Sequence, residues 1–249
     1  MRVTDPPFTW PHGKRCAVSL TFDDARLSQP EVGIPILNTH GVRATFYVSF
    51  GSLEMRLPQW RQAVAAGHEI GNHTVTHPCS GNFAFVGSNP LEDYTLERMD
   101  AELAEANARI EALLGVTPAT FAYPCGQKQV GRGIGAGSYV PLIARRFVAG
   151  RGFMDEDAND PSWCDLAQLM AVPSDGLSID EALDWVRRAE AEQAWLVFAG
   201  HEIGAGGRQT TLADTLDAVC AYSQDPAHGI WIDTVEAIGR YVLAQRSAS

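Results

Sequence analysis

Short apolar runs alternate with longer helical patterns along most of this chain, and that alternation limits the fold more than any other feature. The run 16–21 (CAVSLT) is rich in strand-forming residues, and the run 195–200 (WLVFAG) repeats the pattern late in the chain. Between them, apolar residues recur at steps of three and four from Leu96 to Leu113, which predicts an amphipathic helix that Asn89 would cap. Alternating strands and helices predict parallel strands with helices outside, as an open doubly wound sheet or a closed barrel. The predicted strands cover residues 16–21, 44–50, 68–73, 120–124, 147–151, 195–200 and 230–232.

The composition excludes several classes of partner and site. With 19 basic and 30 acidic side chains the formal charge is −11, so nucleic acid and membrane surfaces are poor partners, whereas a neutral or cationic substrate is tolerated. The 5 cysteines form no CxxC pair, which predicts reduced thiols rather than a disulfide framework or a zinc ribbon. No apolar stretch behind a basic start resembles a signal peptide, and no run is long enough to span a bilayer, so we expect a cytoplasmic protein.

Polar side chains follow the predicted strands at the point where each strand ends. Asp23 and Asp24 come directly after the first strand, His73 ends the third, and His201 follows the sixth. Both candidate architectures place their active sites at the carboxyl ends of parallel strands, so this coincidence predicts an enzyme. The alternatives are a solvated strand end or helix cap for the two carboxylates, and two surface histidines in a threonine-rich turn for His73 and His77.

One carboxylate together with His73 and His77 forms a ligand set with open coordination positions. Two imidazoles four residues apart can converge on one ion, although the glutamate of an HExxH motif is absent. The set suits a catalytic zinc or a non-haem iron, and ligand type alone does not separate the two. Hydrolysis needs a base and an acid beside the metal, and Asp23 and His201 could supply them. An iron oxygenase would instead need a pocket for a cosubstrate.

Four motifs stand in a fixed order along the chain. They are TFDD at residues 21–24, GNHTVTH at 71–77, FAYPCG at 121–126 and LVFAGH at 196–201. In order and spacing the chain resembles the polysaccharide deacetylases, the NodB-homology domains of carbohydrate esterase family 4. The resemblance covers about residues 16–240. It implies a distorted (β/α)7-type barrel of parallel strands with outer helices, in one domain over residues 1–249.

The resemblance also implies roles for the strand-end residues. Asp23 would be the general base and His201 the general acid. Asp24, His73 and His77 would bind a divalent metal, usually zinc, with cobalt, nickel or manganese as alternatives.

The third motif departs from the family pattern. Tyr123, Pro124 and Cys125 would border the substrate, with the backbone amide of Cys125 stabilising the oxyanion. However, Ala122 stands where many members carry an arginine that braces the catalytic aspartate, and Cys125 replaces the usual aromatic residue. Arg151, at the end of its own predicted strand, could approach that aspartate from another direction, or it could be an ordinary surface or salt-bridged arginine.

The fourth motif, an aspartate-containing stretch with a tryptophan, has no clear counterpart. Residues 160–163 (DPSW) are the nearest candidate. Trp163 could be a platform for a sugar ring, or it could serve core or loop packing.

These observations favour a metal-dependent hydrolase that removes acetyl groups from N-acetylated amino sugars, such as chitin or peptidoglycan fragments. O-deacetylation of xylan and hydrolysis of a small amide or ureide fit the same scaffold. An inactive carbohydrate-binding homologue and the iron oxygenase are the rival classes. The sequence leaves open the exact substrate, the metal and the oligomeric state.

Overall fold

The computed structural model describes residues 8–248. The strands are β1 (Cys16–Asp23), β2 (Thr45–Val48), β3 (Glu69–Asn72), β4 (Thr120–Ala122), β5 (Gln129–Val130), β6 (Gly137–Ser138), β7 (Ala149–Arg151), β8 (Val172–Pro173), β9 (Trp195–Gly200), β10 (Glu202–Gly204), β11 (Thr210–Leu212) and β12 (Ile230–Ile232). The α-helices are α1 (Ile34–Thr39), α2 (Phe50–Met55), α3 (Leu57–Ala65), α4 (Leu96–Leu114), α5 (Val140–Arg146), α6 (Ile179–Glu192), α7 (Ala213–Gln224) and α8 (Val235–Ala248). Within these residues, no helix is both long and apolar enough to cross a membrane.

Seven parallel strands curl into a barrel. Their order is β7-β4-β3-β2-β1-β9-β8. The short strand β12 pairs with residues 16–18 of β1, whereas β2 pairs with residues 21–23. The segment before β8 brings the two edges together, because Leu169 donates to the carbonyl of Gly150 and accepts from the amide of Gly152, both at 2.8 Å. The predicted distorted (β/α)7-type barrel is therefore confirmed.

The alternation of side chains along the strands decides what reaches the mouth of the barrel. Ala17 of β1 and Val197 and Ala199 of β9 share one buried cluster, whereas the alternate residues of both strands pack against α1, α6 and α7. Because successive residues of a strand point to opposite faces, the inward series continues to Asp23 on β1 and to His201 just after β9. The folding of two apolar strands thus places both polar groups at one end of the barrel.

The structure corrects several predicted element boundaries. The long amphipathic helix is present, but it begins at Leu96 with Thr95 as its cap, and the hydroxyl of Thr95 accepts from the amide of Arg98 at 3.2 Å. Asn89 does not cap this helix, because its side-chain amide donates to the hydroxyl groups of Thr76 and Tyr94 instead. The sequence also missed β8, which is only two residues long and shows no periodicity.

A buried carboxylate lies inside the barrel at the amino end of β3. Glu69 accepts hydrogen bonds from the hydroxyls of Thr45 and Thr120 and from the backbone amide of Glu236. Burial raises the pKa of Glu69 to about 7 in spite of these donors, because the charged form loses its hydration. The folded protein therefore binds a proton that the unfolded chain releases near pH 4.5.

We expect Glu69→Gln to remove this pH dependence from the free energy of unfolding. A folded-state pKa above the unfolded value contributes stability that is fully present below pH 4.5 and is lost as the pH rises through 7. The wild-type protein should therefore lose up to about 3 kcal/mol relative to the variant between pH 4.5 and pH 8. Urea unfolding at both pH values measures the difference. A gap that does not change with pH would contradict the assignment.

Candidate active site

A pocket of about 780 Å³ opens at the carboxyl ends of the strands. It receives side chains from the ends of β1, β3 and β9 and from the loops that follow β3, β4 and β7. The lining residues are Asp23, Asp24, Arg26, Ser49, Ser52, His73, His77, Phe83, Phe85, Cys125, Phe153, Met154, His201, Arg208 and Gln209. All five strand-end residues that the sequence predicts for base, ligands and acid therefore share one cavity.

Asp23 is buried at the end of β1 and pairs with a buried arginine. Arg151, at the end of β7, donates from Nη2 to Asp23 Oδ1 and from Nη1 to the carbonyl of Gly152 at 2.8 Å. The guanidinium also lies over the ring of Tyr47, with 4.9 Å between its carbon and the ring centroid. Gly71 leaves the space for that ring, since a Cβ at this position would overlap it. Arg151 thus meets the aspartate from another strand, and the alternative of a surface arginine is wrong.

Asp24, His73 and His77 converge at the centre of the pocket. The Nε2 atoms of His73 and His77 lie 3.8 and 3.7 Å from Asp24 Oδ1. His73 donates from Nδ1 to the carbonyl of Ala122 at 2.8 Å, which leaves Nε2 as the atom that can bind an ion. The three donor atoms lie within 4.8 Å of one another and could hold a metal.

The protonation states of this cluster suit a metal site. Burial, together with the charge of His73, lowers the pKa of His77 to about 4, so the imidazole is neutral at neutral pH. Burial alone would raise the pKa of Asp24, but His73 and His77 outweigh it, and the pKa lies below its usual value. Metal binding requires neutral imidazoles and an ionised carboxylate. The donor set therefore fits zinc or another divalent transition metal.

The loop that carries the two histidines is shaped by side chains that the sequence argument missed. Asn72 Oδ1 accepts from the amide of Thr74 at 2.8 Å, and the hydroxyl of Thr74 accepts from the amide of His77 at 3.0 Å. Glu102 on α4 accepts from the amides of Val75 and Thr76. Thr74 and His77 adopt left-handed φ values of +64° and +51°. These bonds hold a backbone that non-glycine residues seldom adopt.

His201 follows β9 and is oriented by Asp175. Its Nδ1 lies 2.7 Å from Asp175 Oδ2, and its backbone amide donates to Asp175 Oδ1 at 3.1 Å. Burial lowers the pKa of His201, but the hydrogen bond to Asp175 and the charges of Asp23 and Asp175 outweigh it and raise the pKa above its usual value. The imidazolium form is therefore favoured, as a proton donor requires.

Asp175, and not Asp160 of the predicted fourth motif, contacts His201. Asp160 instead accepts from the amide of Ser162 at 2.8 Å in a local turn. Trp163 is 60% exposed and does not line the pocket. Nothing in the sequence pointed to Asp175, because its contact with His201 joins two segments that lie 26 residues apart.

Of the three residues predicted to border the substrate, only Cys125 lines the pocket. Tyr123 is buried, and its hydroxyl donates to the carbonyl of Ala167 at 2.7 Å. Pro124 is buried as well. Tyr123 and Pro124 therefore support the turn rather than contact a ligand in the pocket.

The expectation of reduced thiols is wrong at two positions. Cys79 and Cys125 form a disulfide bond, although 46 residues separate them. The pairing arises because β3 and β4 are neighbours in the barrel, so the loops that follow them meet. The cytoplasmic location stays a prediction. Because disulfides persist mainly in oxidising compartments, this bond argues against it.

Exposed aromatic rings form one rim of the pocket. Phe83 and Phe85 are 41% and 66% exposed, and their centroids lie 5.4 Å apart. The ring of Phe85 lies 6.2 Å from that of His77. Exposed apolar groups grouped beside a cavity mark a binding surface, and rings of this kind can stack on the apolar face of a sugar.

Comparisons with known proteins agree with this geometry. Residues 11–131 match a family model described as polysaccharide deacetylase. A chitooligosaccharide deacetylase from Sinorhizobium fredii is 42% identical over 84 residues, which cover 32% of this chain and 37% of that protein. The matched segments span between 5% and 37% of the length of the curated relatives.

Solved structures share the fold over nearly the whole chain. A Mycobacterium smegmatis protein, provisionally described as a polysaccharide deacetylase, has a TM-score of 0.67 and 19% identity, with 96% of this chain and 94% of that chain covered. A family 4 acetyl xylan esterase from Clostridium thermocellum, in complex with a cobalt ion, has a TM-score of 0.59 and 17% identity, with 90% and 91% covered. At these identities the likeness shows the barrel.

We expect Arg151→Met to lower the free energy of unfolding by about 3 kcal/mol, because it leaves the buried carboxylate of Asp23 without its partner. The double variant Asp23→Asn/Arg151→Met should lose less, since no charge is then left buried. Arg146→Gln, which removes an exposed pair with Asp100, is the matched control and should cost under about 1 kcal/mol. Urea unfolding measures all three variants. Equal costs for Arg151→Met and Arg146→Gln would contradict the role of the buried pair.

Proposed function

We propose that this chain is a member of the polysaccharide deacetylase family and a metal-dependent hydrolase that removes acetyl groups from N-acetylated amino sugars. Chitin-type and peptidoglycan-type oligosaccharides are the substrates that we propose. The observation that carries this proposal is the meeting of Asp24, His73 and His77 in one pocket with Asp23 and His201.

Asp24, His73 and His77 would hold the ion, which we propose is zinc, with cobalt, nickel or manganese as alternatives. The neutral imidazole of His77 and the carboxylate of Asp24 support this choice. The cobalt ion in the Clostridium thermocellum esterase supports a divalent metal. A divalent ion held there would supply Lewis acidity, which lowers the pKa of a coordinated water to near 7.

The remaining residues divide the proton transfers of amide hydrolysis. Asp23 takes the proton that the attacking water loses, while Arg151 holds the carboxylate in place. The backbone amide of Cys125 donates to the substrate oxygen as negative charge develops there, a contribution worth roughly 3 kcal/mol. His201 then donates its proton to the nitrogen that leaves, because an amine is a poor leaving group until it is protonated. The products are acetate and the free amino sugar.

The pocket supports a carbohydrate substrate. Its volume of about 780 Å³ exceeds the needs of a single acetamide group, and Phe83 and Phe85 offer an apolar rim. The Sinorhizobium fredii relative, a chitooligosaccharide deacetylase, supports an N-acetylated amino sugar. The matched segment covers 37% of that relative, so we propose this substrate for the chain rather than transfer it directly.

O-deacetylation is the second candidate activity. The Clostridium thermocellum structure with the same barrel is an acetyl xylan esterase. An alkoxide leaves more readily than an amine, so an esterase depends less on a protonated acid. The raised pKa of His201 therefore favours the amide substrate.

We expect the zinc-loaded protein to release acetate from N-acetylated chitooligosaccharides and to lose this activity on chelation. Asp23→Asn should lower kcat about 10²- to 10⁴-fold, the range for loss of a general base. Asp184→Asn, a change at an exposed carboxylate on α6, is the control and should leave kcat unchanged. Acetate release is measured on N-acetyl and O-acetyl compounds in parallel, and consumption of the substrate is measured on ureide compounds. Activity that survives chelation, or wild-type turnover by Asp23→Asn, would refute the proposal, and turnover of acetylated xylan alone would favour the esterase.

We expect Asp175→Asn to shift the basic limb of the kcat–pH profile to lower pH. The acid must be protonated, so activity falls as the pH rises through the pKa of His201. Asp175 raises that pKa, so its removal should move the limb to lower pH. Thr211→Val, which removes a hydroxyl that donates to Asp175 but keeps the carboxylate, is the control. A lower rate with an unmoved basic limb would show that Asp175 does not tune the acid.

A further inference from the structure

The Cys79–Cys125 disulfide joins the two loops that supply different parts of the pocket. Cys79 lies two residues after His77, in the loop that follows β3. Cys125 lies in the turn that follows β4, and it lines the pocket. The bond therefore links the loop of one proposed metal ligand to the turn of the proposed oxyanion amide.

The two ring nitrogens of His77 face different groups: Nε2 faces the ligand cluster, and Nδ1 faces the disulfide. Its Nε2 lies 3.7 Å from Asp24 Oδ1, and its Nδ1 lies 3.7 Å from Cys79 Sγ. His73, by contrast, is held by a 2.8 Å hydrogen bond from Nδ1 to the carbonyl of Ala122. Sulfur is a weak acceptor, so the orientation of His77 depends more on where Cys79 is fixed than on the strength of one hydrogen bond.

The backbone on both sides of the bond adopts a conformation that needs support. His77 and Cys125 have φ values of +51° and +54°, which few non-glycine residues adopt. Between the two loops the structure also has a hydrogen bond of 2.7 Å from the amide of Ser80 to Gln127 Oε1. The disulfide links the same two loops covalently. Cys79 is fully buried, whereas Cys125 is half-buried and open to the pocket.

We propose that the Cys79–Cys125 disulfide is a positioning element of the active site, whose reduction loosens His77 and the amide of Cys125 together. This inference rests on the proposed function for its effect on turnover. A dithiol reductant attacks through the pocket at Cys125, the sulfur of Cys79 leaves, and the resulting mixed disulfide is resolved by the second thiol of the reductant. Two electrons and two protons pass to the protein, which gains two thiols, and the reductant becomes a disulfide.

The other cysteines do not compete in this exchange. Cys16 and Cys220 are fully buried. Burial raises the pKa of both thiols to about 12, so neither forms the thiolate that attacks a disulfide. Cys164 is a free cysteine in contact with Arg246, which donates to its sulfur at 3.1 Å, and it does not line the pocket.

The experiment compares the oxidised protein with the variant Cys79→Ala/Cys125→Ala, and uses Cys164→Ala as the matched control. Zinc affinity of the metal-free proteins is measured by calorimetry, because the reduced thiols and His77 form a second group of possible ligands that would confuse a titration of reduced wild type. Hydrogen exchange of the amides in 76–81 and 124–127 reports loop order without metal or substrate. Circular dichroism and the thermal midpoint establish that each variant is folded at the assay temperature.

We expect the double variant to bind zinc at least tenfold more weakly, to exchange both loops faster, and to lose kcat more than it raises KM. Treatment of wild type with a dithiol should lower kcat in the same direction, and reoxidation should restore it. Cys164→Ala should match wild type throughout, and the double variant should not respond to the dithiol. Unchanged zinc affinity and kcat in the folded double variant would overturn the inference.

The two proposals fail in different ways. If oxidised wild type hydrolyses no acetylated sugar, the proposed function fails, while zinc affinity and hydrogen exchange still test the positioning role. If oxidised wild type is active and hydrogen exchange in both loops is the same with and without the disulfide, the positioning role fails and the function stands. If the double variant is unfolded, hydrogen exchange on dithiol-treated wild type, which keeps both sulfur atoms, replaces it: faster exchange in both loops supports the role, and unchanged exchange overturns it.

Discussion

The strict alternation of side chains in a closed parallel barrel governs where this chain can place charge. Along β1 and β9 the inward positions are filled by small or apolar residues such as Ala17 and Ala199 until each strand ends at the open mouth of the barrel. Asp23 and His201 continue those two inward series. A shift of one residue in either strand would turn its polar group outward into the helical layer. The site therefore depends on strand register before it depends on any hydrogen bond.

Charge compensation sets the state of each group at the mouth. Asp24 and His77 have lowered pKa values, and His201 has a raised one, although all three lie in the same pocket. Burial disfavours the charged form of each. It dominates at His77, whereas the charges and hydrogen bonds of neighbouring groups outweigh it at Asp24 and His201. Asp24 has the two ligand histidines beside it, whereas His201 has Asp175. Carboxylate, neutral imidazole and imidazolium can thus coexist in one pocket, which is the division that a ligand set and a proton donor require.

The sequence was informative where the signal is local and silent where it is not. Apolar runs predicted β1 and β9, and the spacing of polar residues after strands predicted Asp23, His73 and His201 at one end of the fold. The partner of Asp23 lies 128 residues away, so the sequence could name Arg151 only as one of two alternatives. Asp175 was missed for the same reason. The spacing of the cysteines predicted reduced thiols and was wrong for Cys79 and Cys125. A disulfide depends on which strands are neighbours in the sheet, and residue spacing does not reveal the strand order.

The two departures in the third motif have separate structural answers. Ala122 offers no side chain that could brace Asp23, but its carbonyl fixes the tautomer of His73, and Arg151 reaches Asp23 from the adjacent strand β7. Cys125 lacks an aromatic ring, but its sulfur is bonded to the loop of His77. Neither change leaves a buried charge unpaired or a ligand loop untethered. A chain that had lost its activity would have no need to keep a buried carboxylate matched by a buried guanidinium, since apolar residues would fill that space at no electrostatic cost. The presence of this buried pair is thus an argument against an inactive carbohydrate-binding homologue.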